Sequence, residues 1–241
     1  MKYSGCFIAG TDTGVGKTVV TAALAVCLRQ RPLNVGVMKP IETGIPGNGA
    51  GSDAERLLAG AAAKDPLELV TPFRFPAPLA PLAAARQAGS TIALDRILAA
   101  YRTLAAKHAF MLVEGIGGVL VPITEGSDVR DLISQMELPV LVVGRASIGG
   151  VNHALLTIEA LRQRHIPVLG VVLNRPCGTA GSEEQSEQEA STVALVKERS
   201  GVFVAGPLHY DATLDRGGTA ALSRLADDPA IRTLAGLLAP A

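Results

Sequence analysis

A glycine-rich segment near the N-terminus carries the residue types that bind a chain of phosphates. The segment is Gly10-Thr11-Asp12-Thr13-Gly14-Val15-Gly16-Lys17-Thr18. It lies between an apolar stretch and a helical one, where backbone N–H groups and a helix N-terminus can surround an anion together. In such a loop the lysine reaches the β- and γ-phosphates and the following hydroxyl holds Mg²⁺. The alternative is an ordinary tight turn. The residues predicted to bind a nucleotide are Thr13, Gly14, Val15, Gly16, Lys17 and Thr18.

The spacing of this segment departs from the usual phosphate-loop pattern. That pattern has four residues between its two glycines. Gly10 and Gly16 enclose five, and Thr11 stands where the first glycine would be. In the MinD/ParA-type variant of the loop, a second lysine precedes the glycine pair and acts across a dimer. Asp12 occupies that position here, which disfavours a switch ATPase that binds protein partners. That function stays open as the alternative.

Polar residues also follow several apolar stretches of the β-strand type. Glu114 follows AFMLV and precedes a glycine-rich turn that includes Gly117, while Lys39 follows VGVM and Asn174 follows VLGVVL. A carboxylate beside a phosphate loop suits Mg²⁺, and glycines allow a ligand to approach the backbone closely. The ordinary alternatives are an acid that ends a strand, a solvated lysine and an amide that caps a turn. Ser52 and Asp53 likewise resemble a helix cap and first turn.

The elements that must position these residues alternate between short β-branched runs and longer helical stretches. The predicted strands are Tyr3–Ala9, Val35–Met38, Ala109–Val113, Pro139–Val143, Val168–Leu173 and Val202–Ala205. The predicted helices are Thr18–Arg31, Ile92–Lys107, Val129–Met136, Asn152–Arg164 and Glu183–Arg199. Continuous apolar strands that alternate with helices indicate an α/β fold: one P-loop NTPase-like domain over residues 1–241, with a mainly parallel sheet and helices on both faces.

Two segments interrupt this alternation. Ile45–Ser52 is rich in glycine and is predicted to be a mobile loop. Glu42 and the loop over Gly44–Gly51 could form a lid. Pro66–Pro81 contains five prolines and cannot form one continuous helix.

The composition excludes several classes of protein. The chain has 241 residues, 48% of them hydrophobic, with 22 basic and 22 acidic side chains. This hydrophobic content is too high for a disordered chain, and the balanced charge lacks the basic surface of a nucleic-acid binder. No apolar stretch approaches the roughly 20 residues of a membrane span. The three cysteines form no metal-binding or disulfide pattern. We therefore expect a soluble, cytoplasmic protein.

Several motifs together resemble those of one enzyme family. GTDTGVGKT, VMKPIETG, SDAERL, VEGIGG and GVNHALLT occur here in the order in which they occur in dethiobiotin synthetases. The resemblance covers residue 10 to about residue 174, and the last 60 or so residues contribute little to it. It implies a homodimer with its active site at the interface, which uses ATP, Mg²⁺, CO₂ or bicarbonate, and 7,8-diaminononanoate.

The resemblance also implies a role for each motif residue. Lys17 and Lys39 would be catalytic, and Thr18, Asp53 and Glu114 would hold Mg²⁺. Beside the loop residues, Glu114, Gly117 and Asn174 would contact the nucleotide, with Asn174 at the adenine. The residues that would bind the diamine or its carbamate are Thr13, Lys39, Thr43, Gly150 and Asn152, the last two from the partner subunit. The implied reaction is an ATP-driven ring closure by way of a carbamate and a carbamic–phosphoric anhydride.

Overall fold

The computed structural model describes residues 3–45, 51–175, 182–208, 212–215 and 219–239. Most of the loop predicted over Ile45–Ser52, namely residues 46–50, lies outside these ranges. The described strands are β1 Gly5–Gly10, β2 Val35–Met38, β3 Ile41–Thr43, β4 Phe73–Phe75, β5 Phe110–Gly118, β6 Val140–Arg145, β7 Val168–Asn174 and β8 Phe203–Leu208. Six of them form one sheet in the order β2-β5-β1-β6-β7-β8, and β3 pairs with β4 in a separate small sheet.

Every neighbouring pair in the described main sheet is parallel. This confirms the predicted parallel architecture, although several boundaries differ. The first strand begins at Gly5 instead of Tyr3. β5 continues four residues past Glu114, because a register shift lets Gly10 of β1 pair with Gly118. A hydrophobicity pattern does not reveal such backbone pairing among glycines, so the strand was predicted too short.

Helices cover both faces of the sheet. The described helices are α1 Lys17–Arg29, α2 Asp53–Ala61, α3 Leu67–Val70, α4 Pro81–Gln87, α5 Leu94–Ala105, α6 Val129–Met136, α7 Gly150–Arg162, α8 Glu183–Ser200, α9 Ala212–Asp215, α10 Thr219–Ala226 and α11 Pro229–Leu238. Alternate strand residues point to opposite faces. Phe7 and Val142 therefore share a core with α5 to α8, whereas Ile8 and Leu141 share a second core with α1, α2, α10 and α11.

The proline-rich segment forms several short elements, as its composition predicts. It contains α3 and β4, and α4 begins with Pro81 at its first position, where the missing N–H costs no hydrogen bond. Within the described ranges, none of the helices has the length and apolarity that crossing a membrane requires.

Candidate functional site

The glycine-rich loop wraps around the N-terminus of α1. Gly14 and Gly16 have φ values of 71° and 91°, which a residue with a Cβ rarely adopts. Gly16 is the N-cap, and its helix has no capping hydrogen bond from any side chain that the structure describes. The helix begins at Lys17, one residue before the predicted start. The loop therefore presents unclaimed backbone donors and the positive end of a helix dipole, as phosphate binding requires.

The Lys17 side chain extends beneath this loop, and the residue is only 7% exposed. Its Nζ donates hydrogen bonds to the carbonyl oxygens of Asp12 at 2.9 Å and Gly117 at 3.1 Å. Burial, followed by the neighbouring positive charge of Lys39, lowers the pKa of Lys17 from its usual 10.5 to about 8. The charge on this ammonium is thus poorly compensated within the chain, which favours an anionic ligand.

The Asp12 side chain ties the loop to the end of β6. One carboxylate oxygen accepts a hydrogen bond from the Thr13 N–H at 2.7 Å, and the other pairs with Arg145 Nη2 at 2.8 Å. The position that would carry the signature lysine of a MinD/ParA-type loop thus holds an aspartate paired with an arginine.

Glu114 lies at the centre of the polar network and is fully buried. Its Oε1 accepts hydrogen bonds from the Thr18 hydroxyl at 2.8 Å and from Lys39 Nζ at 2.5 Å. Its Oε2 has no partner among the described residues. Burial raises the pKa of Glu114, and the Lys39 charge opposes that effect.

Lys39 connects the two acids that were predicted to hold Mg²⁺, Glu114 and Asp53. Besides Glu114, its Nζ contacts Asp53 Oδ2 at 3.3 Å and donates to the Gly115 carbonyl at 3.0 Å. Burial lowers the pKa of Lys39, but the two carboxylates outweigh it and raise the pKa overall. The predicted catalytic lysine and the predicted metal-binding acids are therefore in direct contact.

The donor set around Glu114 is suited to a hard cation. The Thr18 hydroxyl and the carboxylates of Asp53 and Glu114 supply only oxygen atoms, which Mg²⁺ prefers, and Glu114 Oε2 is an orphaned buried acceptor. Among the described residues, no group of three or more His, Cys, Asp and Glu side chains is arranged to hold a metal. The predicted set has two acids and a hydroxyl, so any further ligands would come from phosphate and water.

Asp53 also has the structural role that the sequence analysis weighed as an alternative. It begins α2, and Ser52 caps that helix in a reciprocal capping box with Glu55. The two roles are compatible, because the capping uses Ser52 and Glu55 and leaves the Asp53 carboxylate to face Lys39.

One cavity of about 300 Å³ gathers most of the predicted residues. Those that line it are Thr13, Gly14, Gly16, Lys17, Thr18, Lys39, Thr43, Asp53, Glu114 and Gly117. The lining also includes Val19, Glu42, Arg56 and Ile116. Of these, only Glu42 had been considered, as part of a lid. Arg56 lies three residues after Asp53 on α2, so the helical spacing could have indicated it.

Val15 belongs to the loop and Asn174 lies beside it, and neither is among the residues that line this cavity. Both are buried, and Asn174 Nδ2 donates to the Val15 carbonyl at 3.3 Å. A Cβ on Gly16 would come within 2.0 Å of that same nitrogen. The close approach of Asn174 therefore requires glycine at position 16, and it couples the end of β7 to the loop conformation.

Gly150 and Asn152 lie apart from the cavity. The helix predicted to begin at Asn152 begins two residues earlier. α7 begins at Gly150, and its N-cap is Gly149, which adopts a left-handed conformation with a φ of 85°. Asn152 consequently lies within the first turn, with its side chain exposed, whereas Gly150 is buried.

Comparison with known proteins shows similarity to ATP-dependent enzymes. A family described as an AAA domain matches residues 4–217. The chain is 43% identical over 225 residues to the ATP-dependent dethiobiotin synthetase BioD of Thermodesulfovibrio yellowstonii, covering 88% of this chain and 91% of the relative. It is 50% identical over 171 residues to the enzyme of the same name from Anaeromyxobacter dehalogenans strain 2CP-C, covering 71% and 76%.

Solved structures share the fold at low sequence identity. The MinC:MinD cell division complex of Aquifex aeolicus matches with a TM-score of 0.60 at 17% identity, covering 99% of this chain and 98% of the other. A ParA family ATPase from Chlorobium tepidum TLS matches with a TM-score of 0.56 at 13% identity, covering 97% and 99%. At these identities the likeness concerns the fold alone.

Proposed function

This chain belongs to the ATP-dependent dethiobiotin synthetases, and on that premise we propose a mechanism and a set of residue roles. The family membership makes it a carbon–nitrogen ligase of biotin biosynthesis. The reaction proposed here joins 7,8-diaminononanoate and CO₂ into a cyclic urea at the expense of ATP.

The proposed chemistry has three steps. One amine of the diamine adds to CO₂ and gives a carbamate with loss of a proton. A carbamate oxygen attacks the γ-phosphorus of ATP, so that ADP leaves and a carbamic–phosphoric anhydride forms. The second amine attacks the activated carbonyl, the ring closes, and phosphate leaves. No step needs a nucleophile from the protein, so the protein contributes positioning and charge stabilisation.

One observation carries the assignment of residues. Both predicted lysines and both predicted acids line the same cavity, next to the uncapped N-terminus of α1. Lys17, whose charge is poorly compensated, would bind the β- and γ-phosphates. Lys39 would stabilise the transferring phosphoryl group and the carbamate, because negative charge develops at both during transfer.

The oxygen ligands described above would hold Mg²⁺ through Thr18, Asp53 and Glu114. When bound there, Mg²⁺ would neutralise part of the triphosphate charge. Gly117 and the loop residues Thr13 to Gly16 would contact the nucleotide through the backbone, with Asn174 at the adenine.

The diamine would be bound by two subunits. Thr13, Lys39 and Thr43 would contact the reacting end within one subunit. Gly150 and Asn152 of a second copy would receive the substrate carboxylate at the N-terminus of α7, where backbone N–H groups favour an anion. Because Gly150 and Asn152 do not line the cavity of their own chain, this role requires a homodimer.

The test combines the purified protein with 7,8-diaminononanoate, bicarbonate, Mg²⁺ and ATP, and detects dethiobiotin by mass spectrometry together with released phosphate. We expect product only when all four components are present. Lys17→Gln should lower turnover by about 10²–10³-fold, because it removes one preorganised positive charge. Thermal unfolding checks that the variant folds. If phosphate is released at the same rate with and without the diamine, and no dethiobiotin forms, the protein would instead be a switch ATPase.

A further inference from the structure

Glu42 is a buried acid that lines the cavity and that the mechanism above does not use. It lies on β3 between Ile41, which belongs to the hydrophobic core, and Thr43, which also lines the cavity. Its side chain is only 5% exposed. An acid so thoroughly removed from water needs compensating hydrogen bonds on both oxygens, since a lone buried carboxylate oxygen is unfavourable.

Only one of these oxygens has a partner among the described residues. Glu42 Oε1 accepts a hydrogen bond from the Asp53 N–H at 2.5 Å, at the N-terminus of α2. Glu42 Oε2 is buried and has no hydrogen-bond partner in the part of the chain that the structure describes. Oε1 therefore has a structural role, in that it joins β3 to α2, whereas Oε2 is left to accept a hydrogen bond from a ligand.

The chemistry of the proposed ligands indicates which of them could donate a hydrogen bond to Glu42 Oε2. Triphosphate and carbamate oxygens are acceptors and would be repelled by a carboxylate. Lys39 already contacts Glu114, Asp53 and the Gly115 carbonyl. The diamine is the ligand whose reacting end carries N–H donors, and it brings two of them close together.

We propose that Glu42 Oε2 accepts a hydrogen bond from an amine of the diamine and orients that amine for ring closure. This inference rests on the proposed function. It makes Glu42 a substrate-binding residue that recognises the amine end of the molecule, opposite to the carboxylate end.

The decisive variant is Glu42→Gln. The amide can keep the acceptor that holds the Asp53 N–H, but it places an NH₂ donor where Oε2 was. We expect the KM for the diamine to rise about tenfold or more, in line with loss of a charge-assisted hydrogen bond. The KM for ATP and the Mg²⁺ requirement should change by less than about twofold, which corresponds to less than about 0.5 kcal/mol.

Glu55→Gln is the matched control. Glu55 belongs to the N-terminus of the same helix, is exposed, and binds the N–H groups of Gly51 and Ser52 without lining the cavity. It should lower the melting temperature slightly and leave both KM values unchanged. If Glu42→Gln fails to fold, Glu42→Asp, which keeps the charge but shortens the side chain, should show the same selective rise.

Two outcomes would overturn the inference. One is an unchanged diamine KM in a folded Glu42 variant, which would leave Glu42 as a cap of α2. The other is a change confined to the KM for ATP or to the Mg²⁺ requirement, which would assign Oε2 to the metal's hydration shell. Failure of the proposed function is a separate result, because the unaltered protein would then make no dethiobiotin.

Discussion

Helices α1 and α7 begin in the same way and differ in almost everything around that beginning. Each is 13 residues long, and each follows a strand of the main sheet, β1 or β6. Each has a left-handed glycine as its N-cap, Gly16 or Gly149, and within the described ranges no side chain caps either helix. The backbone therefore offers two anion sites of the same design at one edge of the sheet.

Their surroundings separate the two sites. Around α1, the buried Lys17 lies below the loop and Asn174 packs against Gly16. Around α7, a Cβ on Gly149 would meet no described atom within 4 Å, and Ile148 is 85% exposed. The N-terminus of α1 is thus surrounded by side chains of its own chain. The α7 site presents a bare helix end and an apolar side chain to the outside, as expected of a site that a second copy completes.

The sharpest test of this contrast replaces each capping glycine by alanine. Both substitutions place a Cβ on a left-handed residue, which lowers the free energy of unfolding by about 1–2 kcal/mol. Gly16→Ala also brings its Cβ to 2.0 Å from Asn174 Nδ2 and must displace that side chain. We expect ATP affinity to fall about hundredfold for Gly16→Ala, a loss of about 2.7 kcal/mol that corresponds to one or two hydrogen bonds to a charged phosphate. Gly149→Ala should bind ATP normally.

Isothermal titration with a non-hydrolysable ATP analogue, beside thermal unfolding, separates stability from binding. Equal losses of affinity in the two variants would break the comparison, because the crowding around Gly16 would then have no consequence for the nucleotide.

A second prediction addresses what completes the α7 site. Asn152→Ala should raise the KM for the diamine about tenfold, the effect of one lost hydrogen bond to a charged group, and leave ATP binding intact. Co-expressed with Lys17→Gln, it should recover about a quarter of the unaltered activity at low diamine, because half of randomly formed dimers are mixed and each contains one intact site. Separately purified variants, left unmixed, provide the control. Absence of recovery would mean that Asn152 does not serve a partner's site.

The two helix ends also show how far the sequence could predict this molecule. Lys39 and Glu114 each follow a predicted parallel strand, and residues in that position share one edge of the sheet. The strand pattern alone therefore places them near the phosphate loop, and the structure has all of Lys17, Lys39 and Glu114 in the lining of one cavity. The start of α7 was predicted two residues too late, because Gly149 and Asn152 are both residue types that occur at the N-terminus of a helix. The choice between them depended on the left-handed conformation of Gly149, which composition does not reveal.

Other features depended on contacts between distant parts of the chain. β3 and β4 have three residues each, too few to show a periodicity, and β4 lies among prolines. The N-terminus of α2 reaches β3, where the Asp53 N–H donates to the Glu42 carboxylate across 11 residues of sequence. Nothing in the local sequence around Glu42 distinguishes it from a solvated strand acid.

The smallest expected effect is a pH dependence confined to the α1 site. The pKa of Lys17 is lowered to about 8 by burial and by Lys39, whereas Gly150 and Asn152, the residues proposed to bind the substrate at α7, carry no ionisable group. Bound triphosphate restores a partner for the ammonium and so raises that pKa, and binding above pH 8 must take up a proton. ATP affinity should therefore be flat below about pH 8 and fall above it, by at most about tenfold per pH unit.

The stability of the free protein should depend on pH in the opposite direction. The unfolded chain holds the Lys17 proton up to the ordinary pKa of 10.5, so the Lys17 contribution to the free energy of unfolding rises between pH 8 and 10.5. Titration of the ATP analogue between about pH 7 and pH 9 measures the effect on ATP affinity, and Lys17→Arg, which stays charged throughout, should bind more weakly but without the slope. A slope that survives in Lys17→Arg would place the titrating group elsewhere and remove this distinction between the two helix ends.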